Sequence, residues 1–442
     1  GVTGGKRPMV CTKNDQYSLL IALAALLSQM SVVWAVEPED ILAPIVGPVV
    51  ILPRAEVALS YNDNIFLSHY DSEKQDDLLT ELSPGFGLRY GRNILDNNYI
   101  TLDYSSLFRR YSESSELNAD NHFLALRINY VKEGKFTFSG SDNIRLDNTL
   151  LQGRERSFIS SLSDNGEGDR AMLVERLSSI DSYRFEYTIS PKTSVYFATG
   201  LNMTDYEEEP HYYYKNVFGE LIPNALFDVS EWNNTAGFGW QAFPKVRFYG
   251  SFFYGITAVE TNLDSMGLRP DSDFFGGHIS LNGRFADKLT SSLLLGYQTR
   301  DFDRLSNGMG GDSHSLPIFE AEIDYNYSQK GVASVSYKRG GIVSPEDPNL
   351  AIKSDFLELA IDQKLGVTGK LSSSLNTIFQ LDSFETSGNP EYKYTTLNLK
   401  LSYSFNEWMK SSLSYGLNHF NSNKGNIDYT SNQFMLSFAV GY

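Results

Sequence analysis

Histidines and serines are the side chains around which a catalytic site would form. The six histidines are His69, His122, His211, His278, His314 and His419. None has a His-x-x-x-His spacing, and no Gly-x-Ser-x-Gly motif occurs in the sequence. Asp301 and Asp303 could bind calcium, but two carboxylates beside a loop are usually only solvated. The sequence therefore predicts no enzyme, no metal site and no cofactor, and a hydrolase at an outer rim is its weakest functional alternative.

The charge balance restricts the kind of partner. The sequence has 37 Lys and Arg against 54 Asp and Glu, a net charge of −17. Nucleic acid is not expected as a partner, because phosphate contacts require Lys and Arg. The single cysteine, Cys11, excludes a disulfide framework and a cysteine-rich metal module.

The secondary-structure elements that would position any functional side chain are indicated by apolar residues that recur with a period of two. At the C-terminus every second residue is apolar or aromatic, namely Phe434, Leu436, Phe438, Val440 and Tyr442. The alternation recurs at 100–108, 124–130, 319–327 and 397–405. It predicts β-strands, whose successive side chains point to opposite faces. The segments run roughly 10 to 14 residues, longer than strands of a soluble sandwich or propeller, which is the alternative fold.

The connections between strands are of two kinds. Short turns, most with a lysine, alternate with nine longer polar connections, at 62–77, 112–118, 147–180, 205–228, 259–272, 301–314, 342–350, 385–391 and 421–428. Short turns on one side and long loops on the other are typical of outer-membrane barrels. With two strands per long connection, the sequence predicts an all-β, up-and-down antiparallel transmembrane barrel of about 18 strands. A count of 16 is possible, because the pattern near 181–190 is weak.

In such a barrel the apolar side chains must face lipid and the polar side chains must line the lumen. The predicted inward set forms a basic wall of Arg89, Arg109, Arg127 and Arg184. The opposite, acidic wall consists of Glu320, Glu322, Asp324, Glu358, Asp362 and Asp382. We expect a transverse field that orders water and filters dipolar solutes. The alternative is that these residues are simply hydrophilic and their segregation is chance.

The N-terminus is predicted to be a targeting segment. Lys6, Arg7 and Lys13 precede a charge-free stretch, and Val33 and Ala35 suit a cleavage site. The alternative is a single transmembrane anchor. Residues 1–35 are thus predicted to be a cleaved signal peptide, 36–53 a periplasmic segment and 54–442 an outer-membrane barrel of a Gram-negative bacterium.

One local motif resembles a known family. The segment Tyr61-Asn62-Asp63-Asn64-Ile65-Phe66, followed by Asp76, Asp77 and Ser83-Pro84-Gly85, resembles the opening of the β-barrel porin 2 family. Elsewhere the chain is similar to the family only in length, hairpin pattern and aromatic terminus. The resemblance implies an outer-membrane conduit for exopolysaccharide or capsule, with polysaccharide and a periplasmic polysaccharide-export protein as partners. It implies no catalytic residues.

Export of polysaccharide is therefore the first functional hypothesis. A general diffusion porin for small hydrophilic solutes is the alternative, and a structural or adhesion barrel is a further one. Residues 207–214 combine acidic and aromatic side chains that could contact sugars, or could form a girdle above an acidic, cation-binding rim. Other expected partners are membrane lipid, lipopolysaccharide and the outer-membrane assembly machinery.

The longest connection, 147–180, is expected to fold into the lumen and narrow the channel. It would present four charged side chains, Arg154, Glu155, Arg156 and Arg170. The alternative is that its two strands continue beyond the membrane as a hairpin that turns at Asn165-Gly166.

The alternating C-terminal residues resemble the signal read by the assembly machinery. We therefore expect Tyr442→Ser to lower the amount of assembled barrel while leaving export to the periplasm intact. Cell fractionation with quantitative blotting measures both amounts. Wild-type surface levels of this variant would contradict the assembly-signal interpretation.

Overall fold

The computed structural model describes residues 43–91, 98–150, 173–206, 213–215, 221–223, 228–260, 271–303, 313–343, 351–384, 391–423 and 428–441. Three predicted features lie outside these residues: the signal peptide, Tyr442, and the four charged residues of the 147–180 loop. No helix among the described residues is long and apolar enough to cross a membrane.

Eighteen long strands form one sheet. They are β1 (Val49–Asn62), β2 (Asp77–Tyr90), β3 (Tyr99–Tyr111), β4 (Ala119–Lys132), β5 (Phe136–Leu150), β6 (Leu173–Ser190), β7 (Thr193–Tyr206), β8 (Asp228–Phe243), β9 (Val246–Glu260), β10 (Ser272–Ala286), β11 (Leu289–Phe302), β12 (Ser313–Ser328), β13 (Gly331–Val343), β14 (Ala351–Leu365), β15 (Leu371–Phe384), β16 (Glu391–Ser404), β17 (Met409–Ser422) and β18 (Tyr429–Gly441). A two-residue strand, Ile45–Val46, folds back on β1, and a small hairpin pairs Tyr213–Lys215 with Leu221–Pro223.

The sheet closes on itself. Each strand pairs antiparallel with the next in sequence, and β18 pairs with β1 from Arg54↔Gly441 to Asn62↔Gln433. Closure leaves no strand edge with unpaired amide and carbonyl groups, which hydrocarbon could not solvate. The prediction of an up-and-down antiparallel barrel is confirmed, with 18 strands rather than 16.

The pairing register fixes which face each side chain occupies, because directly opposed residues of antiparallel strands share a face. One row of opposed residues runs Leu401, Leu413, Leu436 and Leu59 across β16, β17, β18 and β1. The adjacent row, on the other face, runs Ser402, Ser412, Ser437 and Ala58. The leucine row faces outward with its side chains accessible, as does Phe252, which is 81% exposed. An apolar outer surface and a polar inner surface place this barrel in the outer membrane.

The two rims of the barrel differ. Tight turns join β4 to β5, β6 to β7, β8 to β9, β10 to β11 and β12 to β13 on one rim. The longer connections, including residues 63–76 between β1 and β2, lie on the other rim. In outer-membrane barrels the short turns are periplasmic and the long loops are extracellular. These two ends are named the periplasmic and extracellular rims below.

Two predicted boundaries are wrong. The barrel begins at Val49 rather than residue 54, because Val49 to Pro53 pair with the periplasmic end of β2. The third long connection is shorter than 147–180, because β5 and β6 remain paired out to Leu150↔Leu173. An ion pair between Arg176 Nη2 and Asp147 Oδ2, at 3.1 Å, joins the two strands there. Polar residues thus continue the ladder beyond the apolar band from which the strands were predicted.

A closed barrel should resist detergent until it is heated, because unfolding must break a continuous ladder of strand pairs. We expect the purified protein to migrate faster on a gel before boiling than after boiling. Circular dichroism should show β-structure in the unboiled sample. Equal mobility in the two samples, or a helical spectrum, would contradict the closed architecture.

Candidate functional site

The first loop (residues 63–76) packs against the inner wall near the extracellular rim. Leu67 forms a buried cluster with Tyr392, Phe420 and Tyr429, which belong to β16, β17 and β18. The register places these three rings on the lumen face, in the same set as Gln433 and Ser437. A segment that packs on inward-facing rings lies inside the barrel wall. The first loop therefore occupies part of the lumen.

The loop contacts a second part of the wall. Ile65 and Phe66 are 1% and 5% exposed and pack on Leu117, with Tyr111 of β3 beside them. Ser112 N donates a hydrogen bond to Leu78 O, and Leu117 N donates one to Ser114 O, which shapes the adjoining loop. The first loop is thus held at both β16–β18 and β3.

Polar contacts fix the loop backbone. Asn64 is fully buried, and its amide nitrogen donates to Ser68 O and Thr430 O, at 3.0 Å each. Its amide oxygen accepts a 2.8 Å hydrogen bond from Ser68 N. The Asp63 carboxylate accepts two hydrogen bonds from Asn432, both at 2.7 Å. A buried amide that lacked such partners would cost about 1–3 kcal/mol, so Asn64 suits this place because it makes all three bonds.

Leu67 has a left-handed backbone, with φ of 54°. That conformation costs a non-glycine residue roughly 1–2 kcal/mol. Burying a leucine side chain contributes about 1.5–3 kcal/mol, and Ile65 and Phe66 contribute similar amounts. Burial therefore outweighs the strain, and the inward position of the loop is the stable one.

The second half of the family-like motif lies in β2. Pro84 has no N–H to donate, and the pairing of β2 with β3 is interrupted between Leu82↔Phe108 and Gly85↔Ser105. Ser83 Oγ instead donates a 2.9 Å hydrogen bond to Ser106 O. The Ser83 hydroxyl thus donates to the carbonyl group of the buried Ser106, to which Pro84 cannot donate because it has no N–H.

The four arginines of the predicted basic wall all face the lumen, but only two of them form ion pairs with nearby carboxylates among the described residues. The register carries Arg89, Arg109, Arg127 and Arg184 to the lumen face. Arg109 Nε lies 3.0 Å from Glu81 Oε1, and Arg184 Nη2 lies 3.0 Å from Glu186 Oε2. These two arginines are neutralised within their own wall.

Two further arginines, which the sequence analysis did not identify, lie beside Arg89 and Arg127. Arg54 of β1 and Arg145 of β5 also face the lumen, and they line one cavity with Arg89 and Arg127. Arg145 could have been found from its neighbours Ile144 and Leu146, which face outward. Arg54 could not, because the start of β1 was placed at this residue.

The acidic wall also faces the lumen. Register places Glu320, Glu322 and Asp324 inward on β12, and Glu358, Asp362 and Asp382 inward on β14 and β15. Ser334 Oγ donates to Asp324, and Asn376 Nδ2 donates to Glu358. In the described part of the chain, Glu320, Glu322, Asp324, Glu358 and Asp362 form no ion pair within 4.0 Å, and Asp382 accepts hydrogen bonds from Ser354 and Gln380. The basic residues lie on strands around β4, and the acidic residues lie on strands around β13. The two walls are on opposite sides of the barrel, since β4 and β13 are nine strands apart in a ring of 18.

The first loop is the inward-packed connection among the described residues; residues 151–172 of the third connection, which include its four charged residues, lie outside them. Residues 147–150 and 173–180, which were predicted to lie in the lumen, belong to the barrel wall. The described residues hold no group of three or more His, Cys, Asp or Glu side chains suited to a metal. The first loop and the two charged walls can together restrict the size of a solute and act on its charge.

No family model matches the chain, and no curated protein matches it. Solved structures similar to it include Pseudomonas aeruginosa OccK3 (OpdO), with 13% identity, a TM-score of 0.41, and coverage of 88% of this chain and 96% of that chain. Another is the outer-membrane protein OpdK of the same species, with 11% identity, a TM-score of 0.41, and coverage of 88% and 99%. A third is OccK2 (OpdF) in complex with glucuronate, with 9% identity, a TM-score of 0.43, and coverage of 88% and 98%.

Proposed function

We propose that this outer-membrane barrel is a diffusion channel for small hydrophilic solutes. The observation that carries the proposal is the first loop, which is anchored inside the extracellular end of an 18-strand lumen. Barrels of 16 to 18 strands leave an aqueous channel unless a segment of the chain narrows it. Here the first loop, anchored by the buried Ile65, Phe66 and Leu67, narrows the entrance.

Export of polysaccharide has less support. A polymer conduit needs a passage that stays wide along its whole length, or a loop that opens easily. The first loop is held by two apolar clusters and by the buried Asn64, which oppose opening. The acidic-aromatic residues 207–212, which suggested sugar contacts, lie outside the described residues.

The charged walls support a channel that acts on solute charge. Arginines on one side and carboxylates on the other set up a field across the lumen, which is strongest where water is confined. A neutral dipolar solute would orient in this field, and an ion would follow the wall of opposite charge. Selectivity in this channel is therefore expected to respond to single charge changes.

Single-channel recording in a planar bilayer tests the proposal. We expect stable ohmic conductance from the wild-type chain. Replacing Ile65, Phe66 and Leu67 together with serine should release the first loop, since each loses about 1.5–3 kcal/mol of burial. Conductance should then rise on the order of twofold, as the bore approaches that set by strand number. Retained heat-dependent gel mobility would show that the barrel of the variant still forms.

Deletion of residues 152–168 in the third loop is the matched comparison. If the first loop sets the bore, this deletion should leave conductance near the wild-type value. A large increase from the deletion, with none from the serine variant, would assign the constriction to the third loop. Wild-type chain that inserts without conducting would contradict the channel itself.

A further inference from the structure

A cavity of about 480 Å³ opens on the lumen wall formed by β1 to β5. Its charged lining is Arg54, Arg89, Arg127, Arg145 and a single carboxylate, Asp103. A smaller cavity of about 170 Å³ adjoins it and shares Arg89 and Arg127, with Thr101 between them. The lining therefore has four positive charges against one negative charge.

The one carboxylate is already engaged. Arg54 Nη1 lies 3.2 Å from Asp103 Oδ1, so these two charges offset each other. Arg145 has its guanidinium carbon 5.8 Å from the centre of the Phe123 ring and has no carboxylate partner among the described residues. Arg89 and Arg127 likewise have no carboxylate within 4.0 Å in the described part of the chain. Three guanidinium groups are left to share the cavity.

The wall beneath them has small side chains. A Cβ atom added at Gly85 would lie 3.1 Å from Arg54 Nε, and one added at Gly87 would lie 2.9 Å from Asp103 Oδ1. Both glycines therefore allow the Arg54–Asp103 pair to lie flat against the wall. The space above the pair stays open to the lumen.

The register determines how the free arginines face each other. Thr101 of β3 is directly opposed to Arg89 on one side and to Arg127 on the other. Their Cα atoms are thus two strand spacings apart, about 10 Å. Two long arginine side chains at that spacing can reach one group placed above Thr101, whose hydroxyl can donate to the same group.

We propose that this cavity is a subsite for solutes that carry an oxyanion, either a carboxylate or a phosphate, with Arg89 and Arg127 as its primary ligands and Arg145 as a secondary one. This proposal rests on the channel function and names the class of solute. Guanidinium groups bind both kinds of oxyanion through paired, charge-assisted hydrogen bonds. Like charges that share a cavity repel one another, and a bound oxyanion removes that repulsion.

The position of the subsite fits a solute that has passed the first loop. Arg89 and Arg127 lie near the periplasmic ends of β2 and β4, below the loop anchored at the extracellular rim. The opposite, acidic wall repels the same solute towards the arginines. Size is thus selected at the entrance, and charge is selected further down.

Current block in planar bilayers tests the subsite, with inorganic phosphate and succinate as the two oxyanion probes and glycerol as the neutral probe. Both oxyanions should block the wild-type channel, and glycerol should not. The Arg89→Gln, Arg127→Gln double variant should weaken block at least about tenfold, because each charge-assisted hydrogen bond is worth roughly that factor. The anion preference measured from reversal potentials in a salt gradient should fall with it.

Two further variants sharpen the test. Lys338→Gln with Lys400→Gln removes two positive charges from lumen positions outside the cavity, and should change block less than about twofold. Asp103→Asn removes the lining carboxylate and frees Arg54, so it should strengthen block. Block by only one oxyanion, lost in the arginine variant, would still support the subsite and would identify the ligand class.

An unblocked wild-type channel, or equal block in the arginine and lysine variants, would overturn the subsite and leave the channel function intact. Absence of any conductance would instead overturn the channel function. In that case the subsite is decided by heat-dependent gel mobility in detergent. Phosphate or succinate should raise the temperature at which the wild-type band shifts, and no rise relative to glycerol would overturn it.

Discussion

The pairing of β18 with β1 is the contact on which the rest of the structure depends. In hydrocarbon an unpaired strand edge exposes amide and carbonyl groups at a cost of several kcal/mol each. Closure removes both edges at once, and it also fixes which face every side chain occupies. Once Leu436 faces lipid beside Leu59, the neighbouring Ser437 and Ala58 must face the lumen. Function is therefore left to the inward set of residues.

The strands were predictable because their signal is local. Alternation of apolar and polar residues at a period of two marks the central parts of strands such as β12 and β16 and the end of β18, and together with the pattern of connections it predicted 18 strands. The ends were less predictable, since polar pairs such as Asp147 with Arg176 extend a strand past the apolar band. A hydrophobic pattern ends where the membrane ends, whereas the hydrogen-bond ladder does not.

The site was less predictable because its contacts are distant in sequence. Leu67 packs on Tyr392 and Phe420, and nothing in residues 63–76 alone specifies those partners. Three consecutive apolar residues lie between Asn64 and Ser68, but their types alone do not specify the surface that buries them. The constriction predicted for the third connection was inferred from its length, and residues 151–172 of that connection lie outside the described residues. Likewise, Arg109 and Arg184 were identified as inward residues, but the carboxylates that neutralise them are evident only from side-chain geometry.

The family-like motif gains a physical explanation from the two ends of β1 and β2. Its first half, from Asp63 to Phe66, holds the first loop against the inner wall. Its second half, Ser83-Pro84-Gly85, interrupts the ladder to β3 and leaves room for Arg54 to cross Gly85. A cavity can form in a barrel wall only where the side chains are small, and arginines can line it only where the adjacent residues leave them space. The same short motif thus supports both the narrowing of the entrance and the arginine-lined cavity below it, so a change at Gly85 should alter charge selection without releasing the first loop.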